Sequence, residues 1–465
     1  PPVGTLAALP ASGPRAHEVM KLLSPTPGER PGGEGDPELF SPELAPTPTA
    51  RTATTGYLRS LKPELPASVW TVILGVAISS VGNGFVLPFG SIYLHVVRDL
   101  PIPEVGVIIS ASALASLLAG AVGGTLVDRL GPRTMMLGGL ILQALGYLWF
   151  GFATSAPEAA GSMLLIGAGL GCFYPSMASL VAAVTNRVQR SAAASLQYAA
   201  TNLGIGVGAV IGGLIVSTSR PSTFTTIYLV DAVSFLLFGA LVVSLVPSGR
   251  HLGERGEKPS YRLVLRNRKF MALIAFNALV VMSTYAQLDS SVPLYARVFL
   301  GVPTVALGLI LAANTAFIVI AQLPITRAVR HLDRSRTLAL SASVWLVTWL
   351  VGEVASLTHG LTASLLLGVF AVCFGLGECL LSATIGPLVA DMAPAPVRGR
   401  YMAAFNLSWG VGLLIGPTIG GLVVGSFLRP GMWLLWAAVA AGLVVFAEGL
   451  GRRLPASVNR GPLTN

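Results

Sequence analysis

Five carboxylates sit in stretches otherwise too apolar to hold them: Asp231, Asp289, Glu353, Glu378 and Glu448. An ionised carboxylate in apolar surroundings is costly, and burial favours its protonated form, the state a proton-exchanging site must reach. Glu448 falls at the end of its stretch and Glu353 near an end, within reach of water. Asp289, Glu378 and Asp231 fall deeper, and no Lys or Arg in the same stretches can pair with them. These three are the proton-coupling candidates, Asp289 foremost. The alternative for each is a structural hydrogen bond between helices. No histidine is central to an apolar stretch, so a histidine relay is not expected. The 3 cysteines, Cys172, Cys373 and Cys379, all lie in apolar segments, which excludes a disulfide framework or a zinc site. No metal and no cofactor is expected.

The neighbours of these acids suggest a cargo. Asn277, Tyr285 and Asp289 recur at helical spacing, with Met282 and Gln287 close by, and Gly375, Glu378 and Ser382 share one helical face. Other stretches add Asn83, Phe85 and Phe89; Phe173 and Tyr174; Gln197, Tyr198 and Asn202; Asn314; and Asn406 and Trp409. A cavity lined by aromatics, amides and acids but no base suits neutral or cationic amphiphiles. Phosphates and carboxylates usually need Arg or Lys. Many of these residues could equally serve packing.

What positions them is a membrane. The chain has 465 residues, 53% hydrophobic and 11% charged, whereas soluble domains carry about a quarter charged residues. Mean hydropathy is +0.73. From residue 66 onward the sequence divides into twelve apolar stretches, near 67–95, 104–126, 134–153, 161–183, 192–216, 224–246, 270–296, 303–325, 337–357, 361–386, 399–427 and 432–450. Each is close to the 20 or so residues that cross hydrocarbon as a helix, the structure lipid demands of an isolated span. The expected fold is all-α integral membrane: twelve transmembrane helices in two six-helix pseudo-symmetric halves. Residues 66–246 form the first half and 270–450 the second, joined by a basic linker at 247–269. Residues 1–65, rich in Pro, Gly and Thr, read as a disordered tail without the apolar core of a secretory signal. Residues 451–465 form a short carboxyl-terminal tail.

The net charge of +10 could suggest nucleic acid, but its distribution does not. Of 30 Lys and Arg, only Arg98, Arg220, Arg297 and Arg429 fall on the side opposite the termini. Such asymmetry places both termini in the cytoplasm, in a multi-pass protein of the cell membrane. No nucleic-acid partner is expected.

The halves also echo each other. A shift of 208 positions lays Leu180-Val181-Ala182 on Leu388-Val389-Ala390 and Arg190 on Arg398. The same shift lays Gly204, Gly208, Ile211, Gly212 and Gly213 on Gly412, Gly416, Ile419, Gly420 and Gly421. A weaker echo joins Asp128-Arg129 to Asp333-Arg334. Two related halves suggest a transporter whose site lies between them.

Between spans 2 and 3, Gly124, Asp128, Arg129, Gly131 and Arg133 occur as Gly-x-x-x-Asp-Arg-x-Gly-x-Arg. This resembles the signature loop of the major facilitator superfamily, and the resemblance covers about residues 66–450. It implies that the loop latches the cytoplasmic side when the carrier faces outward. The plainer reading is a basic loop with a solvated ion pair. Gly412, Gly416, Pro417, Gly420 and Gly421 resemble a Gly-x-x-x-Gly-Pro-x-x-Gly-Gly element linked to the drug:proton antiporter branch, which carries it in span 5. Here span 5 holds Ala209 at the proline position. Glycines four apart also simply let helices pack closely. In span 4, Leu165 rather than Arg precedes Gly169-Leu-Gly171, so a relay arginine of that branch is missing.

The expected function is secondary active transport by alternating access: proton-coupled export of hydrophobic or cationic small molecules, as in multidrug or metabolite efflux. Its partners would be the small-molecule substrate, protons and the lipid bilayer, and the carrier is expected to be a monomer. A proton-coupled nutrient importer is the alternative. No lysine is followed by Ser or Thr, so no Walker loop drives an ATPase. A membrane-embedded enzyme finds only a faint echo, in Gly375-Leu-Gly377-Glu378, and no His-Glu-x-x-His; the chain reads as no enzyme. A non-transporting sensor would share the same sequence features.

Overall fold

The computed structural model describes residues 65–246, 262–394 and 397–460. The amino-terminal tail and most of the central linker fall outside the described residues. Among the described residues, twelve helices are long and apolar enough to cross a membrane. We number them α1 (Ala67–Val97), α2 (Ile102–Leu130), α3 (Pro132–Phe152), α4 (Ala156–Val184), α5 (Arg187–Ile215), α6 (Ser222–Leu245), α7 (Arg268–Val298), α8 (Thr304–Val329), α9 (Arg334–Ser356), α10 (Gly360–Met392), α11 (Arg398–Val424) and α12 (Met432–Gly451). Local chemistry sets their ends. Pro132 and Pro157 occupy first-turn positions of α3 and α4, where the missing N–H costs nothing. Ser155 with Glu158, and Asn186 with Gln189, form capping boxes at α4 and α5. Gly131 takes φ 83° between α2 and α3, a conformation a side chain would strain. Every Lys and Arg of the spanning helices falls in a first or last turn.

Two helices depart from the continuous spans expected. α1 runs regularly over Ala67–Val86, turns at Leu87–Phe89 and ends in a π-helical stretch, Tyr93–Val97. α7 breaks at Thr284 and at Ser290. Freed carbonyls at this depth need partners other than water. Thr284 Oγ1 donates to Val280 O at 2.6 Å, and Ser290 Oγ donates to Ala286 O. The break at Thr284 sets Asn277 apart from Tyr285 and Asp289, which remain one turn apart on the segment between the breaks.

The two halves have one packing scheme. α1 packs on α5 and α6, α3 on α4 and α6, and α2 on α4. Six helices later the same pairs recur: α7 with α11 and α12, α9 with α10 and α12, α8 with α10. The halves meet chiefly through α2 with α11 and α5 with α8, a pair of contacts that the pseudo-symmetry exchanges.

Glycine makes these approaches. A Cβ on Gly204, Gly208 or Gly212 would strike α1, at Ser80, Val81 O and Phe85 respectively. A Cβ on Gly412, Gly416 or Gly420 would strike α7, at Val281, Ala286 and Gln287. The fourth glycine of each ladder faces the other half: Gly213 meets Thr304 O of α8, and Gly421 meets Ile102 O of α2. Ala209 and Pro417, at the position where the ladders differ, occupy matching seats. Their carbonyls lie 2.2 Å and 2.3 Å from where a Cβ would stand on Gly308 and Gly106.

These inter-half contacts share one side. The loops rich in basic residues and both termini define a basic side; we call the opposite one the far side. Pro103 against Gly425, Ser110 Oγ 2.8 Å from Thr418 Oγ1, and Thr304 Oγ1 donating to Val216 O at 3.0 Å all lie toward the far side. Arg297 there donates to Thr218 Oγ1 at 2.9 Å, from α7 to the α5–α6 loop. Buried apolar packing agrees. Phe89, Ile92 and Tyr228, from the far side of the first half, join one core with the second half. On the basic side of the first half, Val72, Leu140 and Phe238 form a core of their own. The molecule is thus closed at the far side.

The glycine seats yield a stability prediction. In Gly208→Val, the new side chain must displace Val81 O, 2.0 Å from the Cβ position, and backbone moves less easily than side chains. The variant should lose about 1–3 kcal/mol, the usual cost of overpacking. Thermal unfolding in detergent, against Gly138→Ala in open space, measures it; equal melting would contradict the close-packed α1–α5 contact.

Candidate functional site

The breaks in α7 set the central acid. The segment Tyr285–Asp289 between them leaves Asp289 half-buried in a pocket that both halves line. Leu87 and Pro88 of α1 form one wall. Asn314 of α8 and Phe370 and Ala371 of α10 form another. Asn314 Nδ2 donates to Ala371 O at 3.0 Å, tying α8 to α10 beside the acid. Glu378 lies on α10 toward the basic side. Tyr198 Oη of α5 reaches across from the other half, donating to Glu378 Oε1 at 3.4 Å. Both carboxylates belong to the second half, on α7 and α10. Tyr285 stands beside them, its ring 4.8 Å from Trp409 and 5.9 Å from Phe374. Aromatic faces, one amide and two acids thus meet at the seam, with no base at this depth among the described residues.

Other residues named from the sequence are placed differently. Gln287 is fully buried, and its Nε2 donates to Met282 O at 2.8 Å and to Gly416 O at 2.9 Å. Its Oε1 accepts from Ser291 Oγ. All of its amide is therefore engaged in holding the broken α7 to α11. Asn277, also fully buried, donates from Nδ2 to Ser408 Oγ at 2.8 Å. Phe85 and Phe89 pack between α1 and α5 against Gly212. Asn202 is buried and returns its Nδ2 to Tyr198 O at 3.0 Å, within its own helix. Phe173 is buried against Phe238, whereas its neighbour Tyr174 is exposed. Asn83, Gln197, Met282 and Trp409 are half-buried, and Asn406 is exposed. Ser382 donates to Gln322 Oε1 at 3.0 Å.

Asp231 is not at the seam. It is fully buried inside the first half, where α6 faces Gly82 of α1. Glu353 is half-buried, and Glu448 lies in the last turn of α12.

Sequence reasoning missed Gln322, Trp345 and Phe374. Gln322 follows Asn314 by eight residues on α8, a helical repeat that could have exposed it. Trp345, whose ring centroid is 6.3 Å from that of Tyr285, is one of four buried tryptophans of α9 and α12, and composition alone could not separate it from core.

The loop on the basic side is partly visible. The side chain of Asp128 lies outside what is described. Arg129 is exposed, and Arg133 donates to Val243 O at 2.6 Å, bracing α3 against the end of α6. In the second half, Arg334 pairs with Asp391 of α10 at 2.5 Å, while Asp333 faces Arg336 and Arg460 at 3.5 and 3.8 Å. Arg190 donates to Ala182 O at 2.9 Å, covering carbonyls that the end of α4 leaves open.

Known proteins match this chain closely enough to place it. The family model described as "Major Facilitator Superfamily" matches residues 72–340 and 300–462. The MFS-type transporter YqjV of Bacillus subtilis is 26% identical over 77% of this chain and 86% of its own length. A Na(+), Li(+), K(+)/H(+) antiporter of Planococcus maritimus is 22% identical over 71% of this chain and 84% of its own. Multidrug resistance protein MdtH of Aeromonas salmonicida is 26% identical, covering 79% and 90%. Among solved structures, the nucleoside transporter NupG aligns with a TM-score of 0.62 at 14% identity, covering 83% of this chain and 99% of its own. A peptide transporter POT aligns at 0.67 and 16% identity, covering 85% and 95%. At such identities the solved structures speak for the fold alone. Together with the twelve helices in two like halves, the family match shows that this chain belongs to the major facilitator superfamily and is a multi-pass membrane transporter.

Proposed function

We propose that the protein exports hydrophobic or cationic small molecules across the cell membrane in exchange for protons. The observation that carries this reading is the pair of acids, Asp289 and Glu378, at the seam between the halves with no base at their depth among the described residues. A cavity of that composition attracts cations and repels anions. Its acids can hold either a proton or a cationic substrate, and competition between the two couples their movements. With the basic side cytoplasmic, the structure is an inward-facing state. Substrate entering from the cytoplasm would displace protons; opening of the far side would then release substrate and reload them. The multidrug and cation/proton antiporter names of two relatives agree with this direction.

The test is flux in proteoliposomes under an imposed pH gradient, with a lipophilic cation as probe. Export coupling predicts that the cation moves against the proton flow; movement with it would establish the importer instead.

Three further outcomes follow from the geometry. Asp289→Asn, which mimics a permanently protonated acid, should lower gradient-driven accumulation at least tenfold, about 1.4 kcal/mol, while retaining energy-independent exchange. Unchanged accumulation would remove Asp289 from the coupling. Asp128→Asn should slow transport at normal expression if the signature loop latches the basic side; full activity would leave the loop a topology signal only. Cysteines at Ser110 and Thr418, in a chain with the three native cysteines replaced, should cross-link under oxidation because the native hydroxyls are 2.8 Å apart. Cross-linking should stop flux, and a reductant should restore it. Flux that continues through the cross-link would contradict opening at α2–α11.

A further inference from the structure

The first half holds a buried acid that the cavity does not use. Asp231 of α6 is fully buried, and its Oδ2 has no hydrogen-bond partner among the described residues. Its Oδ1 accepts only from Ser234 Oγ, at 3.3 Å. Gly82 of α1 lies against the same carboxyl, since a Cβ there would stand 2.2 Å from Oδ1. One turn along α6, Tyr228 is also buried, and its hydroxyl too lacks a partner. Two orphaned polar groups three residues apart lie on one helical face. Each such group in a native interior calls for an explanation, and a shared water or proton is the ordinary one.

The surroundings favour a proton over a metal ion. The groups facing Asp231 are Tyr147 of α3, and Tyr228 and Ser234 of its own helix. These supply one acid and a few hydroxyls. A hard cation seeks more oxygens than that. Among the described residues no cation is paired with the acid, and Arg98 lies beyond Tyr228 toward the far side. Two tyrosines stand on the way there. Tyr228 packs edge-on against Tyr93 of α1, ring centroids 5.1 Å apart. Tyr93 Oη donates to Gly151 O at 3.0 Å and accepts from Arg98 Nε and Nη2 at 2.9 and 2.7 Å. Tyr93 opens the π-helical turn, a local widening that interrupts the regular i→i−4 ladder.

We propose that Asp231 is a second proton-binding site, enclosed within the first half and separate from the cavity, which exchanges protons with the far side through Tyr228 and Tyr93 beneath Arg98. Its occupancy bears on the α1–α6 contact. A protonated carboxyl fits against the bare backbone at Gly82, whereas an ionised one draws water between the helices.

Infrared difference spectroscopy on the full chain in lipid nanodiscs tests this in an Asp289→Asn/Glu378→Gln background, where the cavity acids are silent. The carbonyl stretch of a protonated carboxylic acid should disappear as pH rises and be missing when Asp231→Asn is added. Tyr93→Phe should slow its hydrogen–deuterium exchange at least tenfold. A spectrum that Asp231→Asn leaves unchanged, or a band that never titrates, would overturn the site. Exchange unaffected by Tyr93→Phe would overturn the route. Loss of the band on adding sodium or lithium at constant pH would make it a cation site instead. Size-exclusion profiles report folding, and should Asp231→Asn misfold, a shifted titration midpoint in Tyr228→Phe serves the same purpose. None of these readouts depends on the cavity acids, so failure here leaves the export reading standing, and the converse also holds.

Discussion

The close approach of backbone to backbone at the glycine ladders governs this molecule. Lipid offers helices no hydrophobic incentive to associate, so they must gain from dense packing. Gly208 against Val81 O and Gly416 against Met282 O hold each half together. One residue beyond each ladder's third rung, Gly213 and Gly421 turn the same device toward the other half. At these seats the halves therefore meet through bare backbone. A contact of that kind is dense when made and leaves little to disentangle when broken. This suits an interface that must open.

Closing the far side by backbone contact has a second effect. It leaves the middle of the seam for polar groups, and α7 delivers them there by breaking. A continuous α7 would have carried Asn277, Tyr285 and Asp289 on one stripe. With the break at Thr284, Asn277 turns to Ser408 of α11, while Tyr285 and Asp289 stay one turn apart on the next segment. Gln287, which looks like a substrate contact by its position, is instead the tie that permits the break. Its amide bonds Met282 O within α7 and Gly416 O on α11. The second acid stands on an unbroken helix, and only the inter-half contact from Tyr198 marks it out. The bond between Tyr198 and Glu378 crosses the seam, so the state of that acid bears directly on how the halves meet.

Much of this was legible in the sequence, for reasons that differ by level. Twelve spans follow from the thickness of hydrocarbon, and the two-fold repeat survives as glycines because no other residue fits their seats. The loop glycine at position 131 has positive φ, as a tight turn between α2 and α3 requires. The cavity was less legible. In a soluble protein a polar residue advertises solvent or function, but in a membrane helix it also serves as internal tie. Asn277 and Gln287 tie α7 to α11 and Asn202 bonds back within its own helix, and their residue types could not announce it. Phe85 and Phe89 belong to the α1–α5 packing for the same reason that Gly212 is a glycine. Gln322 and Trp345 escaped because helix-to-helix register, unlike helix existence, is set by three-dimensional packing. Asp231 was recognised as costly, yet only the fold shows that it faces Gly82 within one half.

The central claim is that the charge state of the seam acids sets which side is open. Double electron–electron resonance between spin labels at Ser219 and Phe427, exposed far-side positions of the two halves, measures that opening directly. The account predicts a short and a long distance population whose ratio shifts with pH in the native sequence and no longer shifts in Asp289→Asn/Glu378→Gln. Distances indifferent to pH, or a pH response that survives removal of both acids, would contradict it.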